Sequence, residues 1–391
     1  MEEVLLDNFD LSRRKAKKNL IIYILITLAL LSTTIIFLVL YIDEKNDNDD
    51  DDNKNEKPKD DEDEEDDKVP PKQFLVSWNN DTNSKQSLIE FVEKICDQNS
   101  KSFVPKEDRI AVFDLDGTLF QETDPTYTDL KLFKYRVLED PEYKDKATEE
   151  EKTLAEKIKN IKPGDESPYN PRQTQLNSYI YKDMTLEQFY SYVKAFLDKD
   201  ADGYTNMKRG DAFYKPMVEV IDYLQYNNFT VYIVSGCERF LVRAIVERFK
   251  DINIPKNNII GTNSKIIGKD QNSIDGFDYT LKKDEELIFN GTLLDVNLYF
   301  NKVTNIIREI GKIPILSFGN SEGDSSMANL VISNGRGKAF MLLCDDNERE
   351  TSIEEKAKSM KESCDINGWI PVSMKNDWTT IYGENVKKKD I

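Results

Sequence analysis

The strongest constraint on this chain is a recurring unit. A short apolar run rich in β-branched residues ends in a polar loop and is followed by a helical pattern. Such runs occupy residues 109–120, 230–236, 258–261, 313–318 and 339–343. Around them, apolar residues recur at helical spacing. Leu88, Phe91, Val92 and Ile95 mark a helix over 84–98. Met217, Val220, Ile221 and Leu224 mark a second, opened by Pro216. Phe240, Leu241, Ala244, Ile245 and Phe249 mark a third, and helices are expected over 302–310 and 325–331. Strands that are apolar throughout are buried on both faces, as in a parallel sheet between helices. The fold class expected is therefore α/β, a Rossmann-like parallel sheet covered by helices. In such sheets ligands bind outside the carboxyl ends of the strands.

Residues 119–234 separate the first strand from the second, far more chain than one crossover needs. An inserted helical cap is expected over about 121–210. Its clearest helix covers 184–197, where Thr185 and Gln188 form a capping-box pattern and Leu186, Phe189, Val193 and Phe196 form a stripe. Asp198, Asp200, Asp202 and Gly203 imitate the start of a calcium-binding loop. Arg209 stands where its bidentate glutamate should be, so a solvated helix-end turn is expected instead. Cys96, Cys237, Cys344 and Cys364 follow no metal-like spacing. A Cys344–Cys364 bridge and four buried thiols are both open readings.

The chain has 391 residues and a formal net charge of −19, much of it between residues 43 and 68. That run holds 16 acids and five lysines, with no aliphatic or aromatic side chain. It cannot bury enough apolar surface to offset ordering entropy, so 43–72 reads as an acidic disordered stalk. Before it, residues 20–42 carry no charge, and as a helix they would span about 30 Å of hydrocarbon. Arg13, Arg14, Lys15, Lys17 and Lys18 crowd the flank over residues 1–19. These features lead to the expectation of a basic cytoplasmic tail, a transmembrane signal anchor, and a single-pass type II membrane protein. Its catalytic domain, 73–391, would be extracellular or lumenal. A pI near 4.7 argues against a nucleic-acid partner.

There is no histidine. Ser-His-Asp and Cys-His catalysis and histidine-ligated zinc are excluded. Nucleophile, acid and base must come from Asp, Glu, Lys, Ser, Thr, Tyr or Cys. Four polar loops supply them. Asp114-Leu115-Asp116-Gly117-Thr118 ends the first strand and offers two carboxylates, with Gly117 freeing backbone N–H groups for an anion. Ser235-Gly236 ends the second strand with a hydroxyl and a backbone N–H for phosphate oxygens. Lys302 opens a helix and brings a positive charge. The loop 319–324, GNSEGD, is oxygen-rich and suits a hard cation.

These four loops, in this order, resemble those of the haloacid dehalogenase-like hydrolase superfamily, over about 105–345. The resemblance implies that Asp114 attacks phosphorus and that Asp116 protonates the leaving alcohol and then activates water. It implies phosphate contacts from Thr118, Ser235, Gly236 and Lys302. It also implies magnesium held by Asp114, Asp116, Asn320 and Asp324. Many relatives have an acid where Asn320 stands, so Asp324 is expected to carry the charge, with Asn320 or Glu322 assisting. Glu122 lies where a glutamate of phosphoserine- and phosphocholine-phosphatase-like relatives meets a substrate cation. The activity implied is magnesium-dependent hydrolysis, through an aspartyl-phosphate, of a small phosphorylated metabolite that could carry an amine. A phosphomutase, or an inactive surface or adaptor protein with the same fold, remains the alternative.

Overall fold

The structure, a computed structural model, describes residues 71–389 apart from 123, 125, 163, 164, 166–170 and 334. The expected tail 1–19, anchor 20–42 and nearly all of the stalk 43–72 lie outside the described residues. Among the described residues no helix is long and apolar enough to cross a membrane. That finding corrects the expectation of a single-pass membrane protein with an extracellular or lumenal domain. The chain divides into two units, Met1–Lys68 and Val69–Ile391, and the sheet belongs to the second.

Seven strands form that sheet: β1 (Ile110–Phe113), β2 (Thr230–Glu238), β3 (Ile259–Gly268), β4 (Leu287–Asp295), β5 (Leu316–Gly319), β6 (Lys338–Leu343) and β7 (Ile370–Ser373). Their order across the sheet is β4-β3-β2-β1-β5-β6-β7. All neighbours are parallel except β3 and β4, which form an antiparallel pair. The central strand β1 is buried along its whole length, as its IAVF run requires of a strand covered on both faces. It pairs with β2 through Ile110↔Thr230 and with β5 through Ala111↔Leu316. The strand order reverses between β1 and β5, and a reversal of this kind opens a crevice at the strands' carboxyl ends.

Phe113, Phe318 and Phe340 stack in sequence on one face of β1, β5 and β6, with ring centroids 4.4 and 5.0 Å apart. On the other face Val112, Val234 and Ile260 meet Ile306, Met327 and Val331. Those partners come from α8 (Phe300–Ile310) and α9 (Ser325–Ile332). Earlier in the chain run α1 (Asn83–Cys96), α6 (Lys215–Tyr226) and α7 (Arg239–Arg248), and α10 (Glu354–Asn367) follows β6.

Between β1 and α6 the described residues form four α-helices: α2 (Thr128–Leu138), α3 (Glu149–Lys159), α4 (Pro171–Tyr179) and α5 (Leu186–Leu197). Helix α5 opens with the capping box of Thr185 and Gln188 and buries Phe189, Val193 and Phe196. Helices α4 and α5 pack on β4. Gln175 exchanges hydrogen bonds with Gly291 and Leu293, and Phe189 packs on Phe289 at 4.8 Å. The pairing of β3 with β4 was not expected from the sequence; β3 runs well past residue 261 and β4 returns beside it. The calcium-loop pattern is spent on ion pairs. Asp198 meets Arg248, Asp200 meets Lys208, and Asp202 meets Arg209. Cys344 and Cys364 are buried thiols with no bridge between them.

Candidate active site

Asp114 is the first residue beyond β1, and its N–H donates to the Phe318 carbonyl of β5 at 2.9 Å. The strand pairing therefore fixes it at the crevice. The chain then folds tightly, with the Thr118 N–H on the Leu115 carbonyl and the Gly117 N–H on that of Phe120. Gly117 has φ +76°, and a Cβ there would lie 1.8 Å from the Asn320 amide nitrogen. Only glycine permits this conformation with the 319–324 loop so close.

A cavity of about 360 Å³ opens here. Of the residues expected to form a site, Asp114, Asp116, Glu122, Gly236, Lys302 and Asn320 line it. Thr118, Ser235 and Asp324 stand behind that lining. Lys302 reaches from α8 and is almost wholly buried. Its Nζ donates to Asp114 Oδ1 at 2.7 Å and to Asp324 Oδ1 at 2.6 Å. Asp324 Oδ2 accepts from the N–H groups of Asn320 and Ser321 and from the Ser321 hydroxyl, each at 3.1 Å. Both Asp324 oxygens are thus engaged by protein groups.

Burial, with Asp324 nearby, pushes the Asp114 carboxyl up to about 7 against the opposing pull of Lys302. Burial would likewise raise Asp324, but the Lys302 ammonium and the loop hydrogen bonds hold it below the usual carboxylate range. Burial of Lys302 works against its charge, and the two carboxylates outweigh this and raise its pKa. Asp116 is raised well above the usual range by burial, although a hydrogen bond from the Cys237 thiol to Oδ2, at 3.0 Å, opposes the shift. Its Oδ1 is buried with no partner. Burial of this kind favours the neutral, proton-bearing form of the carboxyl.

Ser235 is fully buried at the end of β2. Its hydroxyl accepts from the Cys237 N–H at 3.1 Å, and its carbonyl accepts from Asn297 Nδ2 at 2.9 Å. Gly236 presents the backbone to the cavity. Asn297, Cys237 and Tyr127 were not foreseen. Cys237 lies two residues past Ser235 on the same strand end, and that position was the only sequence signal it had.

Glu122 is held by partners from the chain itself. Lys356, from α10, donates to both of its oxygens at 2.6 and 2.7 Å. Tyr127 adds a hydrogen bond at 2.8 Å, and Asn320 Nδ2 another at 2.9 Å. A lysine of the same chain thus occupies the carboxylate expected to meet a substrate cation. Through Asn320, Glu122 instead orients the amide of the 319–324 loop and turns its carbonyl away from itself. Lys356→Met is expected to cost about 2 kcal/mol, because it leaves a buried carboxylate short of its counter-charge while Lys356 itself is partly solvated. Urea unfolding should show the loss, and adding Glu122→Gln should recover most of it. A double variant as unstable as the single would refute the pairing argument.

Among the described residues no group of three or more Asp, Glu or Cys gathers to hold a metal ion. The donors facing the cavity are nonetheless oxygens. Among them are the carboxylates of Asp114 and Glu322 and the Asn320 amide carbonyl, whose Nδ2 is committed to Glu122. Hard oxygen donors of this kind fit magnesium.

A family model described as haloacid dehalogenase-like hydrolase matches residues 111–287. That span contains Asp114, Asp116, Glu122 and Ser235, while Lys302 and the 319–324 loop follow it. No curated protein sequence matches the chain. Among solved structures, a protein of unknown function from Anaerococcus prevotii DSM 20548 is similar with a TM-score of 0.48 and 15% identity, over 77% of this chain and 94% of that one. Cytosolic 5'-nucleotidase IIIB bound to cytidine is similar with a TM-score of 0.44 and 13% identity, over 75% and 86%. A phosphoserine phosphohydrolase-like protein from Francisella tularensis subsp. tularensis SCHU S4 has a TM-score of 0.34 and 14% identity, over 64% and 92%. Over residues 111–287 the chain is thus similar to haloacid dehalogenase-like hydrolases, a match that marks it as an enzyme.

Proposed function

We propose that the chain hydrolyses a small phosphomonoester through a covalent intermediate on Asp114, with magnesium. The observation that carries this reading is Lys302, buried between Asp114 and Asp324 beside a second carboxyl, Asp116, at the carboxyl ends of β1 and β5. Asp114 attacks phosphorus, and the P–O bond to the alcohol breaks as the Asp114–phosphorus bond forms. Asp116, protonated by virtue of its burial, gives its proton to the leaving oxygen. The resulting carboxylate then takes a proton from water, which attacks phosphorus and frees Asp114. Gly236 and the Lys302 ammonium meet the phosphoryl oxygens, while Ser235 and Thr118 brace the loops that present them.

Asp114, the Asp116 main-chain carbonyl and the Asn320 side-chain carbonyl would hold magnesium, and Asp324 would fix Lys302 and the loop. When bound, magnesium neutralises charge between the phosphoryl group and the carboxylates. Aryl-phosphate hydrolysis by the full chain is expected with magnesium and is expected to vanish in chelator. Hydrolysis at the same rate in both would overturn the metal assignment, and no hydrolysis under either condition would overturn the reading itself.

A further inference from the structure

Beside the cavity at Asp114 lies a second one, also of about 360 Å³, between α4, the ends of β2 and β4, and Thr262 of β3. The two share Asp129, Gly236, Leu298 and Tyr299 as walls. A phosphoryl group at Asp114 would therefore have its alcohol portion facing this second space. Two polar atoms there lack partners. Glu238 is 8% exposed, and its Oε2 accepts from the N–H groups of Phe240 and Leu241 at the start of α7. Its Oε1 is buried with no hydrogen bond. Asn177 of α4 likewise has a buried, unpartnered Oδ1. Both are acceptors, and both residues line the second cavity.

An acceptor left dry and unpaired is costly, so a ligand that brings a donor gains from satisfying it. Asp129 adds a second carboxylate, and among the described residues no lysine or arginine lines the space. We infer that this cavity is the leaving-group subsite, built for an alcohol that carries hydrogen-bond donors, an ammonium above all, with Glu238 and Asn177 as its acceptors. The inference rests on the phosphomonoesterase reading and adds a substrate class to it. It assigns recognition of a cation to Glu238, where Glu122 is already satisfied by Lys356. In their ionised forms Glu238 and Asp129 would meet a second phosphate or a carboxylate with like charge, and the site would reject such a substrate.

The test uses the full chain and four esters: O-phosphoethanolamine, glycerol 3-phosphate, 3-phosphoglycerate and p-nitrophenyl phosphate. The kcat/KM for phosphoethanolamine is expected to exceed that for phosphoglycerate at least tenfold. Glu238→Gln should lower the ratio of phosphoethanolamine to p-nitrophenyl phosphate about tenfold, mainly through KM. Asn177→Asp, which leaves the start of α7 untouched, should raise that ratio. A ratio unmoved in both variants, or a preference for phosphoglycerate, would overturn the subsite. Calorimetric binding of ethanolamine, weakened by Glu238→Gln, reads the same subsite without turnover. A chain that binds ethanolamine and hydrolyses none of the four esters would overturn the esterase reading on which the leaving-group role depends.

Discussion

Asp114→Asn is expected to lower aryl-phosphate turnover by on the order of 10³-fold or more while the fold survives. The amide has the shape of the carboxylate and can still accept from Lys302, but it cannot form the bond to phosphorus. Stability should move the other way. The Asp114 carboxyl is raised to about 7 by burial and by Asp324. A carboxyl raised on folding favours the folded state below its unfolded pKa, and that contribution is lost as the pH climbs through the folded value. The neutral variant should therefore be more stable than wild type at pH 8, by about 1–2 kcal/mol, with the difference shrinking toward pH 4. Equal turnover in variant and wild type would remove Asp114 as nucleophile. A variant less stable than wild type at pH 8 would show that the carboxylate contributes to holding the fold.

Lys302→Met should cost about 3–5 kcal/mol at pH 8, because it leaves two buried carboxylates facing each other without a cation. The sign of its pH dependence follows from Asp324. With Lys302 present, Asp324 is held low and contributes stability above the ordinary carboxylate pKa, lost as pH falls through its lower folded value. Without Lys302, burial and mutual repulsion raise both carboxyls. The penalty then grows as pH rises through the raised values and fades as the groups take up protons. Urea unfolding at pH 5 and pH 8 should give the larger deficit at pH 8. Deficits of equal size would mean that the lysine acts through packing alone.

Local features of the site were legible because each sits where a strand ends. The IAVF run announces a buried strand, so the carboxylate after it had to emerge at the crevice, and Ser235 follows by the same argument. Strand β4 was not legible, because its residues alternate irregularly between buried and exposed and include Asn290, Gly291 and Thr292. Helix α10 was missed for a similar reason: half of its residues are charged and it buries only Ala357, Met360 and Cys364. Its lysine reaches Glu122 across 234 positions, and no periodicity in either segment records such a pair. Local rules place the reactive groups, whereas the charge balance that holds them is set by contacts distant in sequence.

The position of β1 in the sheet has a consequence for how the protein is made. β1 is central only because β5, some two hundred residues later, closes its second side. Until residue 319 has left the ribosome, that side is an open edge, a template for pairing with another chain. Lys302 and Lys356 also arrive late, so the early carboxylates Asp114, Asp116 and Glu122 must wait for their counter-charges. The site is assembled by the last third of the chain, and a fragment cut to residues 111–287 would have an exposed strand and uncompensated acids where the whole chain has an active-site crevice.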